Sequence, residues 1–128
     1  MAERHSPGEL APPESLELSD GQVDLATAVY RPAAISGRAP GVVVAPGGLA
    51  RGNLDAYRWA GERFAAAGYV TIVVTYRGDS PYGDTADIAL ALDWLDRDAG
   101  VDGAKLAVFG HSRGGLAALR VADLDKRV

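Results

Sequence analysis

Cysteine is absent from the 128 residues of this chain. That excludes disulfide staples, thiolate nucleophiles and cysteine-ligated metal sites. Histidine is scarce: only His5 and His111 are present, too few and too far apart for a histidine-rich metal site. No block of like charge marks an interaction tail, and no apolar run approaches the length of a membrane span. The first fifteen residues, MAERHSPGELAPPES, lack the apolar core of a secretion signal. A net charge of −4 and a pI near 5.0 offer no basic surface to a phosphate backbone. The expectations are therefore a cytoplasmic location, no membrane, no nucleic-acid partner, and neither metal nor other cofactor.

What is present describes one ordinary globular domain at most. Hydrophobic residues make up 48% and charged residues 23%, enough for a core, although the length is short for an α/β enzyme. Residues 1–13, with three prolines and mixed charges, read as a flexible leader, and 14–128 as the folded unit. Leu16, Leu18, Val23, Leu25 and Val29 alternate with polar or small residues around Ser19-Asp20-Gly21. The pattern predicts an antiparallel hairpin of Ser15–Leu18 and Gln22–Tyr30. A proline- and glycine-rich loop follows, Arg31 to Pro40.

Gly41–Ala45 is apolar without alternation, as in a strand covered on both faces. It ends in Pro46-Gly47-Gly48. Asn53 is placed to cap a helix over roughly Leu54–Ala67, with Tyr57, Ala60, Phe64 and Ala67 as its buried stripe. Tyr69–Thr75 reads as a second apolar strand. A turn-dense loop then leads to a helix capped by Asp84 or Thr85 and running to about Asp98, its strongest apolar side at Ile88, Leu92 and Leu95. Val101–Ala104 reads as a connection into a third strand, Leu106–Phe109. Alternating strand and helix units predict an α/β fold: a mostly parallel, doubly wound sheet with an antiparallel hairpin at its N-terminal end.

The third strand stops at Gly110-His111-Ser112-Arg113-Gly114-Gly115, and a helical pattern follows. A bare G-x-S-x-G arises by chance about 0.1 times in a chain of this composition, so the context carries the weight. Strand, sharp turn and helix is the setting that lifts a serine hydroxyl clear of a sheet as a nucleophile. Gly110 and Gly114 are expected where strand and helix approach too closely for a Cβ, and Gly115 where the helix start packs tightly. The unpaired N–H groups of the first helical turn face any negative charge that forms near Ser112.

GHSRGG after a buried strand resembles the α/β-hydrolase superfamily, in particular its prolyl oligopeptidase and dienelactone hydrolase-like branches. VVVAPGG (Val42–Gly48), TYRGDSPYGD (Thr75–Asp84) and DWL (Asp93–Leu95) extend the likeness in the family's order, from about Leu16 onward. The resemblance implies a serine hydrolase acting on a small ester or peptide through an acyl-enzyme. Ser112 would be the nucleophile. The backbone N–H of Arg113, with that of Gly48 or Leu49, would hold the oxyanion. Pro46 departs from the His-Gly-Gly common in the family. Arg77 and Tyr82 would face the substrate pocket by family position. The Arg113 guanidinium is open to three roles: meeting a substrate carboxylate, pairing with a nearby acid, or standing in solvent at the helix start.

The family's order of serine, acid, histidine is incomplete here. No histidine follows Ser112, and Asp123 and Asp125 lie on or just past the next helix. His111 points out of the turn in the wrong direction for a base, His5 lies in the leader, and Asp79, Asp84 and Asp87 read as loop and cap residues. The expectation is the N-terminal portion of a hydrolase, with acid and histidine missing. The alternative is a catalytically silent fragment. In either case the Leu106–Phe109 strand would present an unpaired apolar edge, a place for self-association.

Overall fold

The strand Ala39–Ala45 (β3) lies inside the sheet, with a strand on either side, as suits a segment whose side chains are nearly all apolar and whose two faces are both covered. The computed structural model describes residues 11–34 and 36–128. Most of the expected leader, with His5, lies outside the described residues. The other strands are β1 (Glu14–Ser19), β2 (Asp24–Tyr30), β4 (Val70–Val73) and β5 (Val101–Gly110), and the helices are α1 (Arg58–Ala66), α2 (Pro81–Arg97) and α3 (Arg113–Leu124). One five-stranded sheet has the order β1-β2-β4-β3-β5. β3 pairs in parallel with β4 and β5, while β1 and β2 form the antiparallel margin. The α/β architecture expected from the alternation is the one found, and β5 forms an edge of the sheet.

Alternate side chains along β3 and β4 feed two separate cores. Val43, Ala45, Val70 and Ile72 pack with Ile88, Leu92 and Leu95 of α2 and Ala117 and Val121 of α3. Val44 and Val73 face the other way, toward Ala60 and Ala65 of α1 with Tyr30. Two helices thus cover one face and one helix the other. Among the described residues no helix is long and apolar enough to cross a membrane.

Several boundaries differ from expectation. Val101 is already in β5, buried and paired with Ala39; the ladder then slips before Gly41 pairs with Leu106, so the expected connection is a bulged strand start. β4 ends at Val73, although Val74 N–H still donates to the Val44 carbonyl at 3.2 Å. α2 begins a turn earlier than expected. Ser80 Oγ accepts from Gly83 N–H at 3.1 Å and Pro81 opens the helix, so serine-proline, not Asp84 or Thr85, is the start signal. The first helix divides into a 3-10 turn, Asp55–Tyr57, and α1; Asn53 Oδ1 caps the turn by accepting from Asp55 N–H at 3.0 Å. Ala67 is exposed and Ala65 takes its place in the core. Trp59 stands half exposed, edge-on to Phe109.

The far end of the sheet is held by a forked ion pair. Arg31, just past β2, donates to both carboxylate oxygens of Asp98 at 3.0 and 2.9 Å, and Asp98 also accepts from Gly100 N–H. The Arg31 hydrogen bonds hold the Asp98 carboxyl below its ordinary value of 3.8. An acid with a lowered folded pKa stabilises the fold fully above its unfolded value and loses that contribution as pH falls through the folded one. The melting temperature of the chain is expected to drop below about pH 4, and Asp98→Asn to flatten part of that drop in a calorimetric pH series. An unchanged slope in the variant would remove this pair as the cause.

Candidate active site

Between the last residue of β5, Gly110, and the first of α3, Arg113, the chain has only His111 and Ser112 in which to reverse direction. Ser112 takes φ 55° and ψ −115°, a left-handed conformation that a residue with a side chain rarely adopts. Its carbonyl accepts from Leu116 N–H at 3.2 Å, so it sits at the cap position of α3, and the residue is exposed. His111 N–H donates to the Ala45 carbonyl at 3.3 Å, which ties the turn to the end of β3.

The turn is this tight because two glycines permit it. A Cβ on Gly114 would fall on the Ala45 carbonyl, and one on Gly110 would fall on the Gly114 backbone. Gly115 differs from expectation: a Cβ there would stand 3.5 Å from the nearest atom, Gly110 O, an ordinary contact. Close approach therefore explains Gly110 and Gly114 but not Gly115.

The segment after β3 closes over the same edge. Pro46 and Gly47 are buried, Gly48 has φ 95°, Leu49 is almost fully exposed and Ala50 has φ 52°. Gly47 N–H donates to Tyr57 Oη at 2.8 Å, and Tyr57 Oη lies 2.8 Å from His111 Nδ1. The phenol oxygen thus bridges the Gly47 amide and the His111 ring, tying the loop after β3 to the turn that carries Ser112. Tyr76, buried beneath the loop, donates to the Pro46 carbonyl at 2.7 Å; burial pushes its hydroxyl well above the ordinary value. Among the described residues, the N–H groups of Gly48, Leu49 and Arg113 donate to no carbonyl or side chain.

Arg113 is not a solvated helix-start residue. Its Nε and Nη2 donate to the two oxygens of Asp84, each at 2.7 Å, while Nη1 donates to the Ala50 carbonyl at 2.6 Å and more distantly to that of Gly48 at 3.4 Å. Its carbon centre lies 4.5 Å above the Tyr76 ring. Of the three roles open in the sequence, the structure selects pairing with an acid. Asp84, expected as a cap, is a buried ion-pair partner instead, 3% exposed. Asp87 is buried as well, accepting from Arg77 N–H at 2.7 Å and Nε at 2.8 Å. Arg77 is thus committed to Asp87 and Asp20, and Tyr82 stands exposed beneath Arg120, where it lines the hollow between α2 and α3.

Two hollows flank the Gly48–Leu49 segment. One, about 430 Å³, is lined by Leu49, Ser80, Asp84, Arg113 and Leu116; the other, about 290 Å³, by Gly47, Asn53 and Tyr57. A larger one, about 520 Å³, lies between α2 and α3 around Leu124 and touches none of the turn residues. Size alone does not mark the site; the free N–H donors and the exposed serine do. The described residues bring neither imidazole nor carboxylate into hydrogen bonding with the Ser112 hydroxyl: Tyr57 holds His111, and Arg113 holds Asp84. Nor do the described residues cluster enough acids and histidines to bind a metal.

A family model described as PET hydrolase-like (PETase) matches residues 17–128. Cutinase 2 of Thermobifida cellulosilytica is 35% identical over an alignment of 90 residues that covers 64% of this chain and 34% of that protein. Among solved structures, the carboxylesterase EstE1 from a metagenomic library matches with a TM-score of 0.79 at 26% identity, over 91% of this chain and 42% of that one. An esterase of Pyrobaculum calidifontis matches at 0.76 with 29% identity, over 88% and 39%. The chain spans about a third of the length of the curated cutinases it matches.

Proposed function

This chain belongs to the PET hydrolase-like family of the α/β-hydrolase superfamily, and from that premise we propose that it carries the nucleophile and oxyanion half of a serine esterase. The observation behind the proposal is Ser112: an exposed hydroxyl on a left-handed residue between a buried strand and a helix, with unpartnered N–H groups beside it. Ser112 Oγ attacks the ester carbonyl carbon. The carbonyl oxygen gains the negative charge and takes hydrogen bonds from Arg113 N–H and from Gly48 or Leu49 N–H. Collapse expels the alcohol and leaves an acyl-serine, which water then hydrolyses. An ester substrate is favoured over a peptide by the names of the relatives, which are cutinases, esterases and a carboxylesterase.

The serine proton needs an acceptor. Among the described residues none meets the serine proton, His111 being bound to Tyr57; on this reading the base and the acid that orients it are not among them, and the 128 residues by themselves are expected to turn over no ester. A fluorophosphonate tests this directly. In the whole protein the adduct should map to the tryptic peptide Leu106–Arg113, whose only hydroxyl side chain is that of Ser112. A missing adduct, or one on another peptide, would contradict the assignment.

A further inference from the structure

We propose that the Arg113 side chain is a positioning residue for the oxyanion site, clamping the Gly48–Arg51 loop to the turn that carries Ser112. The inference rests on the serine esterase reading above and adds a role for a side chain whose backbone alone that reading uses.

The geometry is that of a three-way clamp. One guanidinium joins Asp84 on α2, the Gly48 and Ala50 carbonyls of the loop, and its own place at the start of α3, with its face against Tyr76. These elements meet only in the tertiary fold: Arg113 lies 63 residues from Ala50 and 29 from Asp84. A peptide group is planar, so holding the Gly48 and Ala50 carbonyls also fixes the planes carrying the N–H groups of Leu49 and Arg51. Leu49 N–H is one of the two candidate donors in this loop.

The loop has little else to hold it there. Gly48 and Ala50 have positive φ values, and Leu49 projects into solvent. Its other ties are Gly52 N–H to the Leu49 carbonyl at 3.1 Å and Tyr76 N–H to the Arg51 carbonyl at 2.8 Å. Lysine could not replace the arginine, because a point charge cannot fork onto a carboxylate and still reach a carbonyl on its other side. With its donors committed to Asp84 and the loop, the guanidinium is not a substrate-carboxylate receptor.

The test compares Arg113→Met, Arg113→Lys and Asp84→Asn in the whole protein. Hydrolysis of p-nitrophenyl butyrate is followed beside amide hydrogen exchange. For Arg113→Met, kcat should fall about 10- to 100-fold with KM changed less than about threefold, the pattern of a misplaced donor felt in the transition state. The Gly52 and Tyr76 amides, which donate to the Leu49 and Arg51 carbonyls of the loop, should exchange at least about tenfold faster while β3 amides do not. Arg113→Lys should recover little of the loss. Asp84→Asn, which keeps the shape and one acceptor oxygen, should fall between wild type and Arg113→Met; it answers the question if the methionine variant fails to fold. Wild-type kcat in a folded Arg113→Met or Asp84→Asn, or unchanged loop exchange, overturns the clamp. Ser112→Ala separates the two ideas. If it leaves hydrolysis intact the esterase reading fails, while loop exchange in the Arg113 variants still decides whether the clamp exists.

Discussion

Replacing Gly114 with alanine is expected to unfold the chain or to lower its stability by more than about 4 kcal/mol, the range of severe core defects. The added Cβ would overlap the Ala45 carbonyl oxygen and stand 2.5 Å from its carbon and 2.8 Å from the Pro46 carbonyl. All of these are backbone atoms at the buried end of β3, so no rotamer change can make room. Relief requires α3 to withdraw from the sheet, which would open the contacts of Ala117 and Val121 with the core. A loss of that size rivals the whole stability of a domain this small. Gly115→Ala is the control. Its Cβ meets only ordinary contacts, and alanine's helix preference should make the variant neutral or up to about 1 kcal/mol more stable. Urea unfolding of the two variants side by side decides the matter; a Gly114→Ala protein within about 1 kcal/mol of wild type would mean that strand and helix are not in contact there.

The second large effect falls on chemistry. In the whole enzyme, Ser112→Ala is expected to lower kcat for ester hydrolysis by at least about 10⁴-fold, as for nucleophile removal in serine hydrolases. Substrate binding should change little, since the hydroxyl contributes to the transition state rather than to docking. Alanine keeps the left-handed strain; glycine does not. Ser112→Gly should therefore be equally inactive yet at least as stable as wild type, because relief of about 1–3 kcal/mol of backbone strain outweighs the entropy of the extra glycine. Stopped assays and thermal melts on the same preparations read both quantities. A Ser112→Gly protein clearly less stable than wild type would show that the turn stores no strain.

The parts legible in advance were those written in consecutive residues. The turn from β5 into α3 is local: an apolar strand, a glycine, a serine, two more glycines and an amphipathic helix fall within twenty residues. Ile88, Leu92 and Leu95 could be assigned to the core from spacing alone, and they are buried. The errors fell where a nearby signal competed with a distant one. Asp84 looks like a cap because acids favour first turns, but Ser80-Pro81 already supplies the start. The carboxylate is left free for an arginine 29 residues further along the chain. Tyr57 looked like one residue of a helical stripe. Nothing in its neighbourhood announces that its hydroxyl bridges Gly47 and His111.

Residue order by itself thus determined the alternation of strands and helices, the place where the chain must turn sharply, and the serine at that turn, because each depends on backbone preference and periodicity over a few positions. Only the assembled sheet decided that Arg113 would clamp a loop, that Asp84 and Asp87 would be buried charges, and that His111 would be bound by a phenol. Those pairings join segments 10 to 65 residues apart. A side chain's partner across such a distance is chosen by packing, which local propensity does not encode.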